Sequence, residues 1–501
     1  MCSPHVQIAG PSRAVVVSEL TSRVAARQKP SSPPCSTPVP PLRPSARMRD
    51  LRTVRHAVGT ALIVAVVACG SLDEPPTASR PTAAMGTFER IQAEIITPTC
   101  TAGCHATGSV FATSSGLVLE KAVAYRNLVG VVPRNAAATT DGLLRVKPFR
   151  ADSSLLYHKL VITDGHHSPT YGSTMPLGGD PVYNGQLEFI RRWIEAGAPE
   201  TGVVADTMIL ADRTRPVIAP FVPLQLPVSG IQLKIEPFNV APNFERELFV
   251  YRRVNNAAVV YVNRIEARMR INSHHMVLYT FEPNIPSQLV PPFDAVRDIR
   301  NPDGSLNFLN MLPMGFHRFF AASQSTTLDY RFPAGVALAV PPNGALDMNV
   351  HYVNRTSAPI TGESYVNLHT VPASDVQRQA LTLGLGNNDL SIPPRSRVTL
   401  TKTFMVPDSA MHIFMLTSHM HERGEKFVIR LAGGARNGEV VYTTNDWAHP
   451  DIVNYTTPIV LRRGEGLTSE ITYNNTTDRT VRFGLTSLDE MGIIFGYYYL
   501  R

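Results

Sequence analysis

The stretch MHIFMLTSHMHERG (residues 411–424) decides how this chain is read. It is an apolar run that ends in His419-Met420-His421 and a turn. Alternate side chains of a strand share a face, so a strand here points His419 and His421 the same way. Two neutral imidazoles converging on one spot make half a metal site. The plainer reading is a pair of solvated or hydrogen-bonded histidines beside a turn, because so short a motif recurs by accident. His412, seven positions before His419, faces the other way on a regular strand.

The surroundings extend the β reading in both directions. From about residue 231 onward the apolar runs are short and β-branched, among them IQLKIEPFNV, VVYVNRIEARMRI, HHMVLYTF, LDMNVHYV, RVTLTKTFMV and LTSEITY. Gly, Pro, Asn and Asp punctuate them, the pattern of antiparallel sandwiches. The fold class expected is mainly β. Some 270 residues exceed what one sandwich needs, so two jelly-roll-like sandwiches are expected, over 231–390 and 391–501, meeting at SIPPRS (391–396). Residues 204–230, with TRPVIAPFVPLQLP, read as a Pro-rich linker, extended and semi-stiff.

The chain has 501 residues and a formal charge of +7, which would suit a nucleic-acid partner if it were spread over the body. It is not. Nine of the 47 basic residues but only two of the 40 acidic ones fall in residues 1–56, and the remainder is balanced. No nucleic-acid partner is expected.

That basic leader precedes AVGTALIVAVVAC (57–69), too short to span a bilayer but of signal-peptide length. It ends in Val-Val-Ala-Cys69-Gly, which resembles a bacterial lipobox. An ordinary signal peptide or a buried apolar helix is the alternative. The resemblance implies that Cys69 is lipidated and that a lipid anchor holds the protein at the membrane of the bacterial cell envelope, facing the periplasm or on the outer membrane. Residues 48–69 then form the signal peptide, 70–86 a flexible tether, and 1–47 an upstream extension with no assigned fold.

Of the five cysteines, only Cys100 and Cys104 lie beyond the lipobox, so no disulfide framework is expected. They sit in PTCTAGCHATG (98–108). Cys-x-x-Cys-His marks c-type haem attachment, and here three residues separate the thiols instead of two. A disulfide or a zinc half-site is the alternative. Downstream, Met175 in STMPLGG offers a thioether suited to the sixth haem position. Leu187, Ile190, Trp193 and Ile194 then recur at helical spacing. Residues 87–203 resemble a small, α-helical monohaem cytochrome c domain of bacteria. The resemblance implies one covalent haem c on Cys100 and Cys104, with His105 as proximal ligand and Met175 as distal ligand. His158, His166 and His167 compete for the distal position.

The β region holds the remaining candidates. His274 and His275 are adjacent, so both reach one metal only where the strand bends or ends. His351 lies in LDMNVHYVN, and Met491 in TSLDEMGIIFGYYY. A set of imidazoles beside a His₂Met set suits copper, because a thioether favours Cu(I) and is a poor zinc ligand. Segments 269–278, 346–354, 411–424 and 486–499 resemble the copper type II monooxygenases, which include the peptidylglycine α-hydroxylating and dopamine β-monooxygenases.

The resemblance implies two copper ions facing a cleft. One is held by His274, His275 and His351 for electron transfer. The other is held by His419, His421 and Met491, the catalytic set, which takes O₂. The activity implied is hydroxylation of a C–H bond of a small-molecule substrate, with electrons entering from an upstream donor through the haem. Peptide-amidating members carry Arg where this chain has Thr417, and Tyr where it has Phe495. Without that ion-pairing fork and phenol a peptide carboxylate has no grip. His317, His369 and His449 read as structural. Two other classes remain: a haem and copper electron-transfer or copper-holding protein of the envelope that hydroxylates nothing, and a surface interaction protein that keeps the fold alone.

Overall fold

The computed structural model describes residues 85–163, 168–406, 409–484 and 489–500. The leader, with Cys69 and the tether up to residue 84, lies outside the described residues, as do His166 and His167. Among the described residues no helix is long and apolar enough to cross a membrane.

The described residues begin helical and become mainly β. Short helices at Thr87–Ile91, Val110–Ser115, Ala124–Leu128, Ala136–Thr140 and Leu155–Leu160 precede the longer helix Asn184–Glu195. That last helix forms where the apolar spacing places it. It buries Phe189, Ile190, Trp193 and Ile194 against Phe88, Ile91, Ile95 and Leu128. Gln186 Oε1 accepts the Tyr183 N–H at 3.0 Å to cap its start. It ends at Gly197, whose φ of +94° is open to glycine and costly for other residues.

The first sandwich pairs a five-stranded sheet with one half of a nine-stranded sheet. The five strands run in the order Val296–Asp298, Phe244–Arg253, Ala345–Asn354, Ser273–Phe281, His317–Ser323. Leu248, Val250, Met276, Leu278, Met348 and Val350 from this sheet meet Leu233, Ile235, Val262, Ile265, Val366 and Leu368 from the other in one core. The second sandwich lays a four-stranded sheet (Ser396–Met405, Gly466–Asn475, Gly424–Ala432, Val440–Thr444) over the remainder of the large sheet.

The nine-stranded sheet runs through both sandwiches. Val336–Val340 pairs in parallel with Arg378–Gly386, which pairs antiparallel with Gly492–Leu500. Met411–Met420 and then Val453–Leu461 follow. The sheet is thus continuous across the division drawn at 390/391.

Two features depart from the expectations. Residues 212–229 form no regular element, but they do not hang free: Asn367 Nδ2 and Gln232 Nε2 bind the carbonyls of Gln225 and Leu224 at 2.8 and 2.9 Å, and Arg268 binds Val222 O at 3.1 Å. The Pro-rich linker is fastened along the first sandwich instead of acting as a tether. The second departure is His412. The Met411–Met420 strand carries a bulge between Ile413 and Met415, and a bulge resets the alternation of faces. His412 lies opposite Tyr499 and His419 opposite Ile493, so both lie on one face, and the expected opposition fails.

Candidate metal centres

A bulge also builds the first histidine set. Ser273 lies opposite Tyr352 and His275 opposite His351, so His274 is the extra residue. The bulge turns its ring toward the neighbours that strict alternation would deny it. The ligand atoms of His274, His275 and His351 all lie within 4.8 Å of one another. His274 Nδ1 and His275 Nδ1 face each other at 3.1 Å. His351 Nε2 is buried, lies 3.5 Å from Glu245 Oε2, and makes no well-formed hydrogen bond among the described residues. Burial, then the neighbouring imidazoles of His351 and His275, keep His274 well below its ordinary pKa. A neutral imidazole with an unshared nitrogen is what a metal takes.

Carboxylates stand behind this set. His275 Nε2 meets Asn349 Oδ1 at 2.8 Å, and Asn349 Nδ2 donates to Glu247 Oε1 at 3.1 Å. Burial alone would raise Glu247, but the hydrogen bond from His275 and the charges of His351 and His275 hold it down to about 2. It therefore keeps a negative charge beneath the three rings. Such partners fix ring orientation and tautomer in metal sites.

The second set lies on the neighbouring sandwich. The His419 and His421 rings stand 5.1 Å apart, nearly perpendicular. His421 Nδ1 meets Asp489 O at 3.1 Å, which places its proton there and leaves Nε2 as the donor atom. Gly492 lies opposite Met420, so the backbone of Met491 arrives beside that of His421. The Tyr473 hydroxyl donates to Met491 O at 2.7 Å, which anchors that backbone. Glu490 ties the two segments together. Its carboxyl group, fully buried, accepts the N–H groups of His421 at 3.0 Å, Arg423 at 2.8 Å and Met491 at 3.2 Å. Burial, then the charges of His421 and His275, hold His419 well below its ordinary pKa. The two sets are therefore close enough to feel each other's charge.

Beside His419 the surface is apolar and aromatic. Thr417 lies directly opposite Phe495, and Phe495 stacks on Phe319 with centroids 4.5 Å apart.

In the helical segment Cys100 and Cys104 are free thiols. Burial, then the neighbouring Cys104, pushes Cys100 up to about 12. His105 Nδ1 meets Leu117 O at 2.8 Å, leaving Nε2 as its donor atom. Cys100 and Met175 both pack on the helical core. His158 Nε2 is engaged with Asp152 O at 2.8 Å, which commits one nitrogen of that competitor to the backbone.

His317 and His369 are satisfied by carboxylates, Asp347 at 2.9 Å and Glu266 at 3.0 Å. His449 is not remote: it meets Ser173 Oγ at 3.1 Å, and its charge reaches His274. The sequence reading missed Glu247, Asn349 and Glu490 as supporting groups. Asn349 was within reach, since it stands two residues before His351 on one strand face. Glu247 comes from a distant strand, and no spacing announces it.

Residues 378–501 match the family model of the copper type II ascorbate-dependent monooxygenase C-terminal domain. His419, His421 and Met491 fall within that match, and the first histidine set and the Cys100–His105 motif fall outside it. No curated protein matches the chain. Among solved structures, the major capsid protein P2 of bacteriophage PM2 is 8% identical with a TM-score of 0.24, covering 54% of this chain and 98% of its own. PNGase F, a glycosylasparaginase from Flavobacterium meningosepticum, is 9% identical with a TM-score of 0.22, covering 55% of this chain and 96% of its own.

Proposed function

We propose that the chain is a copper-dependent monooxygenase that hydroxylates a C–H bond of a small organic substrate with O₂, and that its electrons arrive through a covalently bound haem c. The observation that supports this most is the His₂Met set of His419, His421 and Met491, inside the segment that matches the copper type II family model. Both histidine sets fit copper. Burial holds His274, His419 and His421 below their ordinary pKa, one ring nitrogen each of His275 and His421 is tied to an amide or carbonyl oxygen, and the second set includes a thioether.

Copper bound at these sets supplies one-electron redox chemistry and, on the thioether-bearing set, affinity for O₂. The protein's own groups do the remainder. Glu247 and Glu245 hold negative charge beneath the first set, so a cation is favoured there. Glu490 fixes the backbones that carry His421 and Met491 in one geometry. Phe495, its ring centroid 6.5 Å from that of His419 and backed by the buried Phe319, makes the side of His419 apolar, and Thr417 offers no charge to grip a carboxylate. The substrate is therefore an apolar or uncharged molecule, not a peptide carboxylate.

The Cys100, Cys104 and His105 group fits a covalent haem: two unpaired thiols stand together, and the imidazole has its Nδ1 proton committed to a carbonyl. Met175, on the same core, is the distal ligand. Export and lipidation at Cys69 put the enzyme at the bacterial cell envelope. The test is an O₂-uptake screen over uncharged organic substrates with the purified, copper-loaded protein and a one-electron donor. Substrate-dependent uptake with one oxygen atom recovered in the product is expected. Copper and haem that cycle between redox states with no substrate-dependent uptake would leave an electron-transfer protein.

A further inference from the structure

The helical segment is docked on the β domains at the level of the first histidine set. Arg355, four residues beyond His351, donates its backbone N–H to Gly178 O at 2.7 Å, in the Met175 loop. Its guanidinium meets Cys104 Sγ at 3.2 Å and lies over the Phe111 ring, 5.3 Å from the centroid. Phe111 belongs to the helix Val110–Ser115 that follows the haem motif. Its ring centroid is 6.3 Å from that of Trp447, and Trp447 is 6.0 Å from His274. The turn carrying Trp447 is pinned, because Asp446 Oδ1 accepts the N–H groups of Ala448 and His449, each at 2.9 Å. His449 in turn meets Ser173. A residue of the second sandwich thus stands between the haem motif and a histidine of the first.

We infer that Trp447 is the electron relay between a haem on Cys100, Cys104 and His105 and a copper held by His274, His275 and His351. This rests on the proposed haem and copper sites. In the step, one electron leaves haem iron(II), which becomes iron(III), and copper(II) becomes copper(I). No bond forms and no proton moves. The haem is re-reduced by an external one-electron donor before the second electron passes. Trp447 is neither oxidised nor reduced in net terms. Electron tunnelling weakens steeply with each gap between packed atoms, and the indole fills the gap between Phe111 and His274. The competing route runs from Cys104 through Arg355 and along the strand to His351.

The experiment uses the full chain loaded with haem and copper. Under anaerobic conditions the haem is photoreduced, and its reoxidation is followed together with loss of the copper(II) resonance. The wild type is expected to show a phase independent of protein concentration. Trp447→Leu slows that phase by an order of magnitude or more, Phe111→Leu slows it too, and Trp447→Tyr restores most of it. The haem midpoint potential and copper content stay unchanged throughout. A Trp447→Leu rate equal to wild type overturns the relay and leaves the proposed function standing. So does a slowing seen only in Arg355→Gln, which assigns the route to the strand. A slowing explained by lost copper or a shifted haem potential shows a structural role and also overturns it. Absence of any concentration-independent phase in the wild type overturns both readings.

Discussion

Replacing Glu490 by Ala removes the acceptor of three backbone N–H groups at once, those of His421, Arg423 and Met491. A buried donor left without an acceptor costs about 1–3 kcal/mol, so three set a range of about 3–9 kcal/mol. Two effects reduce it. Water enters the vacated space and takes some of the donors, and the variant no longer buries a carboxyl group that burial has lifted to about 8. The net loss expected is about 3–5 kcal/mol, a large part of the stability of one domain. Because two of the three donors belong to His421 and Met491, copper affinity of the second set should also fall, by about 10–100-fold. Hydrogen exchange in the strands Met411–Met420 and Gly424–Ala432 reads the first effect, and competitive copper titration reads the second. Glu490→Gln, which keeps one acceptor oxygen, should fall between the two. If Glu490→Ala exchanges as slowly as wild type and binds copper as tightly, the carboxyl group does not organise this site.

Met491→Ile keeps the volume and removes the thioether. Turnover and Cu(I) affinity of the second set should collapse while the first set still fills, and retained activity would mean the ligand is another residue. His317 is held below its ordinary value of 6.5 by burial, partly opposed by Asp347, so the unfolded chain takes up its proton first as pH falls. Stability should then drop on acidification below that value, by at most about 1.4 kcal/mol per pH unit, and His317→Phe should flatten this part of the profile. An unchanged slope in urea titrations at several pH values would contradict it. Gly178 has φ of +68°, and a Cβ there would stand 2.7 Å from Val353 O. Gly178→Ala should cost about 1–3 kcal/mol and loosen the Met175 loop from the His351 strand, read as faster exchange of the Arg355 amide. Protection equal to wild type would show that the loop is held elsewhere.

The strands were legible because their apolar runs are short, β-branched and bounded by turn residues, and in Ser396–Met405 burial alternates residue by residue. The helix Asn184–Glu195 was legible through its apolar spacing. Two β-bulges were not. Each adds one residue that no periodicity marks, and each changes what a histidine faces: His274 joins His275, and His412 comes to the side of His419. The candidate imidazoles stood out in the sequence because a ring nitrogen buried in an apolar strand needs a partner, and Met491 stood out only through its place beside them in the family resemblance. Their supporting groups did not. Glu247 comes from a strand far away in sequence, and it becomes visible only when strand order is known. The docking of the helical segment was equally hidden, since the contacts of Arg355, Trp447 and His449 depend on tertiary packing. The proline-rich stretch reads as a spacer by composition, and only the side chains of Gln232, Arg268 and Asn367 fasten it.

Metal and haem content of the purified full chain tests the account most directly. The prediction is about two coppers, from the two ligand sets, and one haem that stays with the polypeptide in acidified organic solvent. His351→Ala should lower copper to one and leave the haem in place. Sites filled with zinc after copper supplementation, or haem that extracts freely, would contradict it.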